Sequence, residues 1–341
     1  MRAARFHEHG GPEVLRVEDV PVPEPGPHEV RISVRAAGFN HLDLWIRRGL
    51  PVDTTMPHIG GSDIAGLVSA VGEQVEGWEI GARVVVNPIL FCGSCEFCLQ
   101  GAESLCYRFR ILGEHTDGGF AEEVVVPAHA LHRLPDDFPF EQAAALPVSY
   151  QTAWRALLHR ARLRAGEDVL ILGASGGTAI AALQIARLAG ARVFAVTSGE
   201  EKAEKLRALG AYRVYDRTTV DFARELRRDT DRRGVDVVVE NVGEATWESS
   251  LRCLSPGGRL VTYGATSGRQ GLTDLRLLFW RQLQLIGSTM ASRSEFAEML
   301  KVALRGELVP VIDRTFPLEE VRAAHEYVEA GRQFGKVLLI P

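Results

Sequence analysis

Long hydrophobic runs are missing. No uninterrupted apolar stretch approaches the roughly 20 residues that a bilayer span needs. The first residues, Met1-Arg-Ala-Ala-Arg-Phe-His-Glu8, also lack the apolar core of an export signal, so a cytoplasmic location is expected. Neither sign of charge predominates, with 39 basic against 44 acidic residues. A net charge of -5 over 341 residues gives no electrostatic footprint for nucleic acid or an anionic membrane, and neither is expected as a partner. Lysine is nearly absent: Lys202, Lys205, Lys301 and Lys336 stand alone, and arginine supplies the rest of the 39 basic residues. Genomic base composition and heat adaptation produce that bias equally well. No internal repeat or low-complexity tract is visible either. What remains is ordinary for a soluble globular protein, with 46% hydrophobic and 24% charged residues. The chain is longer than one core usually serves, so two domains are expected.

The most informative stretch is Asp168-Val-Leu-Ile-Leu-Gly173-Ala-Ser-Gly-Gly177-Thr-Ala-Ile-Ala-Ala-Leu-Gln-Ile-Ala186. Val169 to Leu172 reads as a buried parallel strand, and a glycine turn and an alanine-rich helix follow. That order aims free backbone N–H groups and the positive end of a helix dipole at a bound phosphate. The fingerprint G-x-G-x-x-G/A is only partly met, with Ala174, Gly176 and Ala179 at its three positions. Alone, such a turn serves an ordinary loop equally well. Its surroundings favour the cofactor reading. Strand patterns recur at 168–172, 192–197, 213–216, 235–240, 259–264 and 283–287, and helical segments separate the first five. One of these is Glu200 to Leu209, closed by Gly210. Six parallel strands with crossover helices make a doubly wound dinucleotide-binding fold. Ser175, Gly176, Gly177 and Thr178 are then the phosphate cradle.

The second strand decides the cofactor. An NAD enzyme keeps Asp or Glu about 20 residues past the glycine turn, to grip the ribose 2′-hydroxyl. Thr197 stands there instead, with Ser198 and Lys202 able to meet a 2′-phosphate. NADPH is therefore expected over NADH. Glu200 and Glu201 weigh against that choice, and Lys202 also reads as a solvated helix face.

Residues 1 to about 130 carry a different rhythm of short strands and Gly/Pro turns, including Val14–Val20, Glu29–Arg35, Ala82–Val86 and Phe120–Val126. That pattern suggests a partly open β-barrel. The expected division is residues 1–148, a dinucleotide domain at 149–289, and a tail at 290–341. The six-stranded sheet is complete without that tail, so the tail is expected to return to the first domain. Cys92-Gly-Ser-Cys95-Glu-Phe-Cys98 followed by Cys106 packs four thiols into a lobe at 92–106. Four thiolates at this spacing surround one ion tetrahedrally, and a structural zinc is expected. Two disulfides suit an exported chain better, and an iron–sulfur cluster suits an electron-transfer protein. Cys253 reads as a buried apolar residue.

Taken together, the four-cysteine lobe, Gly61-Ser-Asp-Ile-Ala-Gly66, Gly81-Ala-Arg-Val84, the glycine turn and Gly335-Lys336-Val337 resemble one family over essentially the whole chain. It is the medium-chain dehydrogenase/reductases, which include zinc alcohol dehydrogenases and quinone oxidoreductases. The resemblance implies a GroES-like barrel catalytic domain, a Rossmann dinucleotide domain, an active-site cleft between them, and nicotinamide as hydride carrier. It also brings Asn241 and Val242, Gly264, Ala265 and Thr266, and Ser288, Thr289 and Met290 near ribose and nicotinamide. Thr152 and Lys336 join them as cofactor contacts. Assembly as a homodimer or homotetramer through the dinucleotide domain is likewise implied, with Arg259–Tyr263 and the following loop as the expected edge.

The departures from the family carry as much information. Zinc alcohol dehydrogenases hold a catalytic metal with a Cys, the His of a Gly-His-Glu motif and a third ligand just before the cofactor domain. Asn40, Ser62 and Val148 stand at those places, and an amide, a hydroxyl and an isopropyl group do not bind zinc. Leu42 replaces the hydroxyl of the proton relay. No catalytic zinc is expected, the alternative being a rearranged site drawn from His41, His58, Asp63 or His115. Asn40-His-Leu-Asp43-Leu-Trp45 instead resembles the metal-free quinone oxidoreductases, which often carry tyrosine where Trp45 stands. The expected reaction is hydride transfer from NADPH to a quinone or enone. Asn40 would meet the developing oxyanion. His41 would give a proton or contact pyrophosphate. Asp43 and Asp63 would orient the site or cap barrel loops, and Tyr150 is a reserve proton donor. His115 reads as a loop histidine. A zinc alcohol dehydrogenase and a non-enzymatic NADPH-binding protein are the competing readings.

Overall fold

The computed structural model describes residues 1–50 and 54–341. They form two compact units: Met1–Ser149 joined by Ser292–Pro341, and Tyr150–Ala291. The tail thus belongs to the first unit, and its strand Lys336–Ile340 pairs antiparallel with Glu29–Gly38. None of the described helices is long and apolar enough to cross a membrane.

Glu29–Gly38 is the hub of the first unit and also pairs with Asp63–Val71 and Glu123–Pro127. Val30, Ile32 and Val34 turn into the core while their neighbours face outward, the period-2 pattern of a half-buried strand. The sheet follows an open path: Leu131–Arg133, Arg83–Val86, Asp63–Val71, Glu29–Gly38, Lys336–Ile340, Ile312–Pro317. This is the partly open barrel that the short strands suggest. Its register brings three distant segments to one point, because Gly38 pairs with both Asp63 and Leu338. A side chain at Gly38 would meet Ala144 O at 2.4 Å and Asp63 Cβ at 2.8 Å, so glycine alone permits this approach.

The second unit is a six-stranded parallel sheet in the order Arg213–Asp216, Arg192–Thr197, Asp168–Ile171, Val235–Glu240, Leu254–Thr262, Gln284–Gly287. This is the doubly wound order, with its switch point between Asp168–Ile171 and Val235–Glu240. The central strands are buried on both faces, which is why they read as continuous apolar runs. Each buried Val, Leu or Phe there contributes roughly 1.5–3 kcal/mol of apolar burial. The expected edge at Arg259–Tyr263 is wrong. Leu254–Thr262 lies inside the sheet, between Val235–Glu240 and Gln284–Gly287, and the last of these is the edge on that side, Arg213–Asp216 being the other. The error is physical: an apolar, β-branched run cannot itself distinguish an interior strand from an edge strand.

Candidate functional site

Asn40 precedes the helix His41–Arg48, two residues beyond the Gly38 junction. A capping box that pairs Asn40 with Asp43 opens the helix. Asp43 accepts from Asn40 N at 2.7 Å and from Gly61 N at 3.0 Å. Burial pushes the Asp43 carboxyl up to about 7, against these two N–H bonds that favour its charged form. These two bonds are of the capping kind.

The Asn40 amide also takes part in a buried ring. Its Nδ2 donates to Asp63 Oδ2 at 2.9 Å, and its Oδ1 accepts from Lys336 Nζ at 2.7 Å. Lys336 closes the ring on Asp63 Oδ2 at 2.8 Å and also donates to Phe39 O at 2.8 Å. Asp63 Oδ1 accepts from Val148 N at 2.7 Å. Two of the three positions aligned with metal ligands, Asn40 and Val148, therefore converge on one carboxylate, and Ser62 is its chain neighbour. The Ser62 hydroxyl is buried with no partner in the protein. Lys336, expected as a cofactor contact, donates within this cluster to Phe39 O, Asn40 Oδ1 and Asp63 Oδ2. All three ammonium hydrogens are committed, so none is left for a phosphate.

His41 is exposed and sets its ring edge-on against Trp45, centroids 5.0 Å apart. His58 donates from Nε2 to Gly113 O at 2.9 Å, and His115 Nδ1 accepts from Ile111 N at 3.1 Å. Both are loop struts. Tyr150, the reserve proton donor, is buried and donates to Gln184 Oε1 at 3.1 Å. Burial raises its pKa well above the usual phenol range, which makes it a poor acid.

In the second unit the glycine turn is built as a cradle. Gly176 precedes the helix Gly177–Leu188 without a side-chain cap, leaving the first N–H groups to an incoming acceptor. A Cβ on Gly176 would meet only Gly173 O, at 3.6 Å, so the space beside it is open. Ser175, Gly177 and Thr178 are half-buried around it, and Ala174 N ties the turn to Val196 O. Thr197 ends its strand with its hydroxyl buried and unpartnered, followed by half-buried Ser198. Lys202 is half-buried on the helix Glu200–Ala208. Arg217, which sequence reasoning missed, reaches the same strand end: it is exposed, and its N–H donates to Thr197 O at 3.0 Å.

The other expected cofactor residues form two tied pairs. Asn241 donates to Tyr263 Oη at 3.2 Å and accepts at its carbonyl from Thr266, while Val242 O accepts from Ser267 N. This joins the Asn241–Gly243 loop to Gly264, Ala265 and Thr266. Thr152 Oγ1 lies 3.7 Å from Met290 Sδ, and Ser288 N donates to Thr262 O. Thr289 is exposed beside them, and the Ser288 hydroxyl is buried without a partner. Buried hydroxyls left unpaired at Thr197 and Ser288 fit a site that expects a polar ligand. Glu240 was also missed. Fully buried, it accepts from Val242 N, Gly243 N, Thr246 Oγ1 and Ser250 Oγ, and so fixes the loop that follows it. A carboxylate closing the Val-Val-Val run was the available signal.

In the lobe, the four sulfurs of Cys92, Cys95, Cys98 and Cys106 lie within 4.8 Å of one another. Measured separations are 3.5 Å (Cys95–Cys98), 3.6 Å (Cys92–Cys106) and 3.9 Å (Cys92–Cys98). A tetrahedral zinc–thiolate site needs S···S edges of about 3.8 Å. Backbone N–H groups of Ser94 and Cys95 hold the Cys92 thiol down at about 5, so its ligating form is favoured. Zinc fits this donor set. Among the described residues no other group of three or more His, Cys, Asp or Glu is gathered closely enough to hold an ion.

Residues 26–136 match the family model of the alcohol dehydrogenase GroES-like domain, and residues 177–305 match that of zinc-binding dehydrogenase. A quinone oxidoreductase of Homo sapiens is 32% identical over 351 aligned positions, covering 100% of this chain and 98% of that protein. Among solved structures, an NAD-dependent alcohol dehydrogenase superposes with a TM-score of 0.96 at 44% identity, covering 100% of both chains. A crotonyl-CoA carboxylase/reductase in complex with NADP superposes with a TM-score of 0.93 at 31% identity, covering 100% of this chain and 94% of that one.

Proposed function

Because the chain belongs to the medium-chain dehydrogenase/reductase superfamily, we propose that it reduces a quinone or another conjugated carbonyl with NADPH and no catalytic metal. The observation that carries this reading is the Asn40 ring. An amide, an ammonium and one carboxylate gather around the positions aligned with metal ligands, and that donor set does not suit zinc. A bound reduced nicotinamide supplies the hydride. When the acceptor carbon takes it, negative charge moves through the π-system to the carbonyl oxygen. The second Nδ2 hydrogen of Asn40, which the ring leaves over, is assigned to that oxygen. The closing proton comes from water, and the adjacent exposed His41 imidazole is able to relay it. The four-cysteine lobe holds structural zinc and does no chemistry. A cytoplasmic setting, where thiols stay reduced, suits it.

An NADPH-oxidation screen over quinones, enones and aldehydes, with metal measured on the same sample, tests the reading. Turnover of conjugated carbonyls with one zinc per chain is expected. A second zinc whose chelation abolishes alcohol oxidation would overturn it in favour of the alcohol dehydrogenase chemistry named for one structural neighbour. Cofactor binding without turnover on any acceptor would leave only a binding protein.

Cofactor preference has its own test. Thr197 puts no carboxylate against a 2′-phosphate, and Arg217 stands at the same strand end. NADPH is expected to show the higher kcat/KM, and Thr197→Asp to shift the ratio towards NADH by about tenfold or more, the worth of one charge-assisted contact. A wild-type preference for NADH sinks the assignment.

Self-association is proposed through the edge strand Gln284–Gly287. Beside it in the sequence, the helix Leu275–Trp280 packs half-buried Leu277 and Leu278 against the core, yet leaves Leu275, Phe279 and Trp280 at 69%, 65% and 82% exposure. An exposed apolar patch next to an unpaired edge is a docking signal. Light scattering should give a dimer or tetramer, with Trp280→Glu lowering the mass towards one chain. A monomeric wild type at micromolar concentration refutes the proposal.

A further inference from the structure

The sequence assigns Lys336 to the cofactor, but its geometry points elsewhere. It is one of only four lysines and opens an otherwise apolar strand, Lys336-Val-Leu-Leu-Ile340. Its side chain is 3% exposed and that of its partner Asp63 is 0% exposed. Burying this pair is costly unless every valence is used. Here every valence of the ammonium is used, on Phe39 O, Asn40 Oδ1 and Asp63 Oδ2.

We propose that Lys336, with Asp63, is a positioning residue that sets and polarises the Asn40 amide. The two ends of an amide differ only in chemistry, and the ring distinguishes them. The ammonium demands the carbonyl oxygen and the carboxylate demands the NH2 group, so a flipped amide would face like with like at both ends. The amide is therefore locked with one Nδ2 hydrogen on Asp63 and the other left over. Drawing electron density towards Oδ1, the ammonium also makes that remaining N–H a stronger donor, as linked hydrogen bonds polarise one another. Register supplies most of the geometry. Gly38 is paired with Asp63 on one side and with Leu338 on the other, so Asp63 and Lys336 are held at strand ends, and Asn40 follows two residues after Gly38 at the start of the helix His41–Arg48. The placement also gives a physical reason for a lysine at this point: a permanent positive charge stands beside Asp63 in a site whose ligand positions no longer suit a dication.

This inference rests on Asn40 being the oxyanion donor, and its test separates the two. Lys336→Met alone strands a buried carboxylate and risks misfolding. The working variant is Lys336→Met with Asp63→Asn, which removes both charges together. In the full-length protein, kcat for a quinone is expected to fall about ten- to hundredfold, with KM for NADPH changed less than about twofold. Adding the same pair to Asn40→Ala should cost no more than about a further threefold, because residues acting through one another are not additive. If the pair raises KM for NADPH while kcat holds, Lys336 is a cofactor ligand and the proposal is wrong. Equal losses in the wild-type and Asn40→Ala backgrounds also refute it, while leaving the Asn40 reading intact. If Asn40→Ala alone leaves kcat unchanged, the underlying reading fails and takes this inference with it.

Discussion

Replacing Asn40 by Ala should lower kcat for quinone or enone reduction by about 100- to 1000-fold, the loss of one preorganised oxyanion donor. That is about 2.7–4 kcal/mol of transition-state stabilisation, a magnitude reported for a comparable donor in another enzyme. The loss should fall on kcat because the carbonyl oxygen of the free acceptor carries little charge. The amide's contribution grows only as hydride arrives, so KM should move little. Folding should survive. Losing the Asn40 half of the capping box costs about 1 kcal/mol, while Asp43 keeps its bonds to the backbone N–H groups of residues 40 and 61 and the Lys336–Asp63 pair remains in contact. Dinucleotide affinity, followed by quenching of protein fluorescence, should be unchanged, since the turn at Gly173–Gly177 belongs to the other unit. Steady-state kinetics on purified protein check the claim. A kcat within about threefold of wild type would show that the oxyanion is met elsewhere.

The sheet of the dinucleotide unit was legible to the residue at several strands because burial on both faces leaves little choice of side chain. Arg192–Thr197 and Val235–Glu240 are almost wholly buried and keep the expected bounds; the outer strand Arg213–Asp216 keeps them too, though it is largely unburied. Leu254–Thr262 was not, because the strand continues through Ser255-Pro-Gly-Gly258, residues that ordinarily punctuate a turn. The candidate site divided along the same line. Local motifs such as the cysteine spacing and the glycine turn announce their chemistry through neighbours in the chain. The Asn40 ring does not: its ammonium comes from 296 residues away, and no periodicity links Lys336 to Asn40. A lone lysine in an apolar strand was visible, but strand register was needed to say which acceptors it meets. Glu240 was visible only as a carboxylate closing an apolar run; the loop and helix that supply its donors are near in sequence, but how they fold back on it is not readable from spacing.

Breaking the metal lobe should produce the largest change in stability. Cys106→Ser, or removal of zinc by a strong chelator, is expected to lower Tm by about 10 °C and to open the segment between Cys92 and Cys106 to protease. The lobe has almost no core of its own. Cys92, Cys95 and Cys98 are only half-buried, Leu99, Leu105 and Tyr107 are exposed, and the two-residue pairing of Ile89–Leu90 with Arg110–Ile111 closes the neck. Apolar burial therefore cannot order this segment, and metal–thiolate bonds must. Structural zinc binds peptides with about 10–16 kcal/mol of apparent free energy, but the cost of losing it here should be far smaller. The lobe can open while the barrel core around Glu29–Gly38 stays folded, so the protein loses only the stability of its weakest cooperative part. One further contact argues that opening is felt outside the lobe. Glu103, nearly buried, accepts from Arg293 N at 3.2 Å and ties the lobe to the returning tail. Cleavage should appear first within 92–106, with Tm falling alongside and the Asn40 ring left intact until global unfolding. One zinc per chain by elemental analysis is the companion measurement. Iron in its place, or full protease resistance after the metal is gone, would mean that something other than zinc holds these four sulfurs together.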